Sequence, residues 1–505
     1  MDHAGLLSLL PAAVTIAVAL LSHRVALALL CGVLAGALAS APSLAALGTA
    51  SEILRAAFTD GERLRISAFL LFMGGLIELL SASGAYHAFA RAVSRWLSTP
   101  RRARLATWGL SLTVFFDDYA NVLLVGASMR GVMRRHRLSP ALLAYFVDQV
   151  ATVVSVMLVS TWAAFEGSLL ASSAASVGLE RSATALLLGS LPFHVSTWLG
   201  ILLAGLVALQ GRWFGRLLDS PPSPISPTSA PPAVHGHLRH VLLPLGALVA
   251  ASLGGLAAFA MSKANRHEGP LSVIDLLDGA PTAWILLGAT LAALTLAAGL
   301  IHRDRTLAPR AQWSAFGTGL RQMIPASLVI VLSKGLADVS EVLGTGRYLS
   351  GLAAPLLETV PGALPAVVFL VAVLLTVATG FSWSSMAILL PVAFQMATAD
   401  PAGIEALAPV LSGAVIAGSI TGGLMVPWSD TSVMTAAAFG ITPVYHAKTQ
   451  ALQVLPVTLA SLVVLGFLGR GVSWPLAWLT GAGLLVGAHL LFARPSREAE
   501  PSEGA

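Results

Sequence analysis

The chain has 505 residues, of which 56% are hydrophobic and only 10% charged, and its mean hydropathy is +0.82. Those values exclude a soluble domain of this length and point to a helical membrane protein, because apolar runs of spanning length recur from Gly5 to Leu491. The net charge of +5 does not signal nucleic acid, since the basic residues sit in short loops between apolar runs, where the positive-inside bias puts them.

A backbone in lipid must satisfy its own hydrogen bonds, so the runs are expected to be α-helices. Met1-Asp2-His3 lacks the cationic flank of a signal peptide, and the first run is read as a retained span. Cys31 is the single cysteine, which leaves no disulfide framework and no Cys-ligated metal site. Expected spans in chain order are 5–22, 25–48, 66–84, 140–164, 183–210, 240–261, 281–300, 322–342, 406–436, 450–468 and 474–492. Two further apolar stretches, 105–129 and 364–397, are interrupted in the middle. Residues 51–65 read as an outside loop, and 85–104 as an amphipathic helix on the cytoplasmic face. The segment 211–239 reads as a flexible Pro/Ser-rich cytoplasmic linker, and 493–505 as a disordered tail.

Charge sets the expected orientation. Arg91, Arg95, Arg101, Arg102 and Arg104 precede the stretch 105–129, and Arg130, Arg134, Arg135 and Arg137 follow it. With both flanks cytoplasmic the stretch reads as a re-entrant hairpin, its arms of about twelve residues being too short to cross about 30 Å. A kinked span with a basic outside loop is the plainer alternative. Counting onward places the C-terminus, with Arg494 and Arg497, in the cytoplasm, and the second interrupted stretch outside.

The two halves echo one another. Glu78 in Gly75-Leu76-Ile77-Glu78 and Asp338 in Gly335-Leu336-Ala337-Asp338 each precede an interrupted stretch, and each stretch is followed by a run holding another acid, Asp148 or Asp430. The paired runs point opposite ways in this topology. That is the pattern of an inverted repeat, with cargo bound where the halves meet. The expected domains are scaffold helices in 1–65, a first repeat in 66–210, scaffold helices in 240–310, a second repeat in 311–440 and C-terminal helices in 441–492.

Four constellations could carry chemistry. Asp117, Asp118 and Asn121 sit at the break in 105–129. Carboxylates in an apolar stretch are costly unless hydrated, paired or protonated, and two adjacent ones repel, so one is expected to carry a proton. The plainer reading is an exterior loop. Asp148 is a lone acid inside a span, with Thr152 and Ser155 on its helical face; it serves either as a cation ligand or as a packing ion pair. Thr379, Gly380, Ser382 and Ser384 offer hydroxyls beside a glycine that permits a backbone break. Ser429, Asp430 and Thr431 follow Pro427, which breaks a helix. Glu78, Glu166 and Asp338 are secondary candidates. Lys334 lies four residues before Asp338, so an internal ion pair is the plain reading there. His194 is read as a packing residue. No GxSxG surrounds Ser382 or Ser384, so a transporter rather than an enzyme is expected.

At these motifs the chain resembles the NhaC family of Na+/H+ antiporters. The resemblance runs from about Phe72 to Leu468. It rests on Leu105-Ala106-Thr107-Trp108, Phe115-Phe116-Asp117-Asp118-Tyr119-Ala120-Asn121, Leu143-Ala144-Tyr145, Asp148, Ser160-Thr161-Trp162 and Phe165-Glu166. Leu343-Gly344-Thr345-Gly346, Tyr348, Ala378-Thr379-Gly380-Phe381-Ser382-Trp383 and Ser429-Asp430-Thr431 continue it in the family's order. It implies an all-α polytopic fold of about 11 transmembrane helices plus two re-entrant hairpins, in an inverted-repeat, elevator-type arrangement, often as a homodimer. The implied activity is Na+/H+ antiport in the bacterial cytoplasmic membrane, with no cofactor beyond the transported ions. The alternative is Na+- or H+-coupled exchange of a small organic acid or amino acid. The chain departs from the family where Gly422-Gly423-Leu424 and Val426-Pro427 replace the usual Gly-Asp-His and Ser-Pro, and where no proline follows Asp148.

Overall fold

The computed structural model describes residues 5–22, 24–40, 45–94, 97–136, 138–157, 159–215, 236–266, 271–345, 348, 359–360, 362–398 and 403–495. Most of the 211–239 linker and of the 493–505 tail therefore lies outside the described residues.

The protein is helical. After a short 3-10 turn (Gly5–Leu9) come α1 (Leu10–Ser22), α2 (Val25–Ser40), α3 (Ala45–Thr59), α4 (Gly61–Ala82) and α5 (Ala85–Ser94). The first interrupted stretch forms α6 (Pro100–Thr113) and α7 (Asp118–His136). Next are α8 (Pro140–Ala151), which tightens into a 3-10 turn (Thr152–Val156), then α9 (Thr161–Ala175), α10 (Ala183–Ser190) and α11 (Val195–Gln210). The second half comprises α12 (Arg239–Ala264), α13 (Val273–Leu277), α14 (Thr282–Arg303), α15 (Pro309–Val342), α16 (Leu364–Thr379), α17 (Ser382–Ala397), α18 (Gly403–Gly423), α19 (Asp430–Phe439), α20 (Pro443–Gly469) and α21 (Trp474–Phe492). Two residues of the expected linker, Arg212–Trp213 (β1), pair antiparallel with two of the expected tail, Arg494–Pro495 (β2).

Among the described residues seven helices are long and apolar enough to cross a membrane, or up to nine if two bent pairs each count as one span. The expected eleven included α1 and α2. These have 13 and 16 residues and are not among the seven, although the 3-10 turn Gly5–Leu9 runs straight into α1 and lengthens it.

The structure corrects several boundaries. The run 140–164 is not one helix. Ser160 accepts from Ala163 N at 2.9 Å and so caps α9, while Thr161 N donates to Phe116 O at 3.0 Å, which turns the chain toward the 114–117 break. The run 406–436 divides between α18 and α19 around Pro427. Residues 51–65 are helical, with Asp60 capping α4 through Arg63 N at 3.0 Å. The amphipathic stretch 85–104 is two elements, because Thr99 and Pro100 start α6 afresh. The arms of the first break have 14 and 19 residues, longer than expected, because the helices run on through the flanking arginines.

Two sets of helices stand out by what they touch. Helix α15 packs along α4 and also meets α2 and α3; α14 joins α4 and α12. Helices α4 and α15 cross at Gly74 and Gly319, where a Cβ on Gly74 would stand 2.5 Å from Gly319 O. Only glycine allows backbones this close, the way membrane helices pack without a hydrophobic driving force. The other set is α6–α11 with α16–α21. There α16 packs on α17 and α18, α17 on α9, and α19 on α7 and α8. The broken elements all belong to this second set.

Candidate functional site

The breaks in the second set meet around one small cavity of about 30 Å3. Asp118, Asp148 and Asp430 all line it, with Thr152, Trp162, Ser382, Trp383, Gly423 and Thr431. Each acid comes from a different piece of chain: the start of α7, the end of α8 and the start of α19.

The two adjacent aspartates divide their tasks. Asp117 is a helix cap. Its Oδ1 accepts from Ala120 N at 2.8 Å and its Oδ2 from Thr161 Oγ1 at 3.1 Å. That satisfies donors at the start of α7 and ties the tip to α9. Asp118, one residue on, points to the cavity. Asn121 also works on the tip: its Nδ2 donates to Ser111 O at 2.6 Å and Val114 O at 3.0 Å, pinning the last turn of α6. Asp117 and Asn121 thus build the break, and neither lines the cavity.

Asp148 is almost wholly buried, and its two oxygens differ. Oδ2 faces His446 Nε2 at 3.0 Å, Gln450 Nε2 at 2.9 Å and Ser432 Oγ at 3.4 Å. Oδ1 has no hydrogen-bond partner among the described residues. Protein donors fix one edge of the carboxylate, and the other is left for an occupant of the cavity. His446 and Gln450 stand one turn apart on α20, so they present their polar ends to the same point. Sequence reasoning missed both. The available signal was a polar stripe of His446, Thr449, Gln450 and Gln453 at i, i+3, i+4 and i+7 spacing in a helix that is apolar over most of its length.

Asp430 accepts from Thr431 N at 2.9 Å through Oδ1, and from the Tyr119 hydroxyl through Oδ2. Tyr119 belongs to α7, so the tip of the first half touches the acid of the second. Ser429 Oγ and Thr431 Oγ1 lie 3.2 Å apart.

The second break turns at Gly380, whose φ of +77° is left-handed and suits glycine. Ser382 lines the cavity while its hydroxyl donates to Ser419 O at 3.0 Å. Thr379 and Ser384 do not reach it; their hydroxyls donate to Leu375 O at 2.9 Å and Phe381 O at 2.7 Å within their own turns. Trp383 closes the wall by stacking on Phe165 at 4.3 Å between ring centroids and standing edge-on to Trp162 at 5.7 Å. The secondary candidates lie elsewhere. Glu166 is fully buried on α9 with neither oxygen paired among the described residues. Glu78 faces Gln322 of α15. Asp338 takes Lys334 Nζ at 2.9 and 3.0 Å, an internal ion pair on α15.

The cavity has room for about two water-sized occupants. Three carboxylates around so small a space cannot all be charged without a counter-ion, since like charges in a low-dielectric interior repel strongly. The arrangement suits a bare or nearly bare cation, or protons in its place.

Residues 153–470, more than half of the chain, match the model of the Na+/H+ antiporter family. An uncharacterized protein of Haemophilus influenzae is 26% identical over 485 residues, 92% of each chain. Two solved structures share the fold. The YdaH transporter of Alcanivorax borkumensis, whose topology is described as unusual, gives a TM-score of 0.58 at 18% identity, covering 85% of this chain and 90% of that one. MtrF of Neisseria gonorrhoeae, described within a class of antimetabolite efflux pumps, gives 0.54 at 14% identity, covering 89% and 86%. The chain is a multi-pass membrane transporter that belongs to the Na+/H+ antiporter family.

Proposed function

We propose that the protein exchanges Na+ for protons across the bacterial cytoplasmic membrane, with Asp118, Asp148 and Asp430 as the groups for which the two ions compete. The observation that carries this reading is the unpaired Oδ1 of Asp148 in a cavity of about 30 Å3 that two other carboxylates share. A cation entering there gains carboxylate and hydroxyl oxygens, the ligands a hard ion prefers. When it leaves, protons must replace part of its charge, because the uncompensated cluster is costly. Competition for one cluster, joined to alternating access of the site to the two sides, gives exchange.

Both halves of the chain contribute a broken helix pair followed by a broken helix that ends or begins at an acid. This supports an inverted repeat whose broken elements move against the set containing α4 and α15, alternating access. The basic loops support a cytoplasmic C-terminus. Cations rather than organic acids are the favoured cargo of this cavity, because an anion would meet three carboxylates in a space that fits no organic molecule. A homodimer and the absence of a resident cofactor are part of the same proposal.

The test is proton flux in proteoliposomes carrying an imposed pH gradient. Added Na+ should collapse the gradient with wild-type protein and not with Asp148→Asn. A gradient insensitive to Na+, or equal flux in the variant, overturns the proposal.

A further inference from the structure

A second, much larger cavity adjoins the first and has no part in ion exchange as described. It measures about 670 Å3 and lies between the turn joining α1 to α2, the part of α15 around Leu328, the Gly380 turn and Trp428. Its size is that of an organic-ligand site, which commonly runs about 300–1,000 Å3. The two cavities share one residue, Asp430.

The lining specifies the ligand's charge. Asp430 is the one acidic residue in a mainly apolar wall, and it stands at the end common to both cavities. Arg24, the one basic residue, is exposed, and its long side chain can carry the charge away from the cavity. Phe381 and Trp428 add aromatic rings beside the acid. Asp430 spends one acceptor position on Tyr119 and one on Thr431 N; a carboxylate offers about four. A partly buried carboxylate in a cavity also lined by two aromatic side chains suits an organic cation, which charge and cation–π attraction hold while the apolar wall takes its hydrocarbon body. An organic anion would be repelled, and a lipid chain has no use for the carboxylate.

We propose that this cavity binds a monovalent organic cation with an apolar body, and that this ligand and the small cation exclude one another at Asp430. The inference rests on reading Asp430 as a cation ligand. The experiment is equilibrium binding of radiolabelled tetraphenylphosphonium to the purified full-length protein in detergent. Binding should be saturable, displaced by Na+, and not displaced by neutral triphenylphosphine oxide. Leu328→Trp and Ala26→Phe, which narrow the cavity from opposite walls, should each weaken binding at least tenfold and leave Na+-driven proton flux intact. Binding that Na+ does not displace, or that triphenylphosphine oxide displaces as well as the cation competes for itself, overturns the inference on wild-type protein alone. So does binding unchanged in both variants, which marks partition into lipid or detergent. No binding alongside intact exchange sinks this inference and spares the ion reading; Na+-sensitive binding without exchange supports the site and sinks that reading instead.

Discussion

The imidazole Nε2 of His446 lies 3.0 Å from Oδ2 of Asp148, and both side chains are withdrawn from solvent. With Gln450 it fixes the plane of the carboxylate and so decides which oxygen is free. His446→Ala removes one donor and leaves the rest of the cavity standing. The expected result is about a tenfold rise in the Na+ concentration that half-saturates proton flux, equal to about 1.4 kcal/mol. His446→Gln, which keeps a donor, should recover most of the loss. A Na+ titration of flux in proteoliposomes checks both.

Asp117 and Asp118 are neighbours with opposite expected phenotypes. Asp117→Ala removes a cap of α7 and its tie to Thr161, and a lost cap costs about 0.5–2 kcal/mol. It should lower the melting temperature in detergent. Asp117→Asn keeps an acceptor and should melt close to wild type. Asp118→Asn should melt like wild type and lose Na+-driven proton flux. Thermal melts and flux on the same preparations separate the two roles.

Gly422 and Gly423 face different things. A Cβ on Gly422 would stand 2.4 Å from the Val373 carbonyl oxygen, a backbone atom that cannot yield cheaply. One on Gly423 would stand 2.9 Å from Ser382 Oγ, a side-chain hydroxyl at the cavity. Gly422→Ala should therefore destabilise the α16–α18 contact by about 1–3 kcal/mol, as for an overpacked site, and lower expression and melting temperature. Gly423→Ala should fold, narrow the cavity and shift the preference among Li+, Na+ and K+ toward the smaller ion. Melts and a cation panel of flux measurements test the pair.

At the end of α14, Asp304 takes Arg239 Nη2 at 2.6 Å and His240 Nε2 at 2.7 Å, joining α14 to α12. The His240 hydrogen bond above all, then Arg239, holds the Asp304 carboxyl below the usual carboxylate range, against the opposing effect of burial. A folded-state value below the unfolded one stabilises the fold above the ordinary value of about 3.9, and that contribution disappears as pH falls through the lower folded value. Asp304→Asn should therefore melt below wild type at both pH 7 and pH 5, with the gap closing only in stronger acid. A pH series of melts checks the sign.

Local signals made the breaks legible. Asp117 and Asp118 inside an apolar run, Gly380 beside hydroxyls and Pro427 before Asp430 each mark a place where a helix cannot simply continue, and the structure breaks at each. The Lys334–Asp338 pair followed from i, i+4 spacing. The turn at Ser160 was hidden, because a single serine in an apolar run reads as a tolerated polar residue until its cap and the Phe116 contact are seen. His446 and Gln450 were hidden for another reason: their partner is about 300 residues away in sequence, and only tertiary packing shows which face of α20 meets α8. Spacing cannot show, either, that Asp117 caps while Asp118 opens to the cavity, since both lie at the same break.

Proton release on Na+ binding reads the shared cluster without any membrane. Purified protein in weakly buffered detergent solution, given NaCl and then choline chloride as control, should release protons to Na+ alone, and Asp148→Asn and Asp430→Asn should each abolish the release. Na+ that binds without releasing protons, or release that survives in both variants, would contradict competition at these carboxylates.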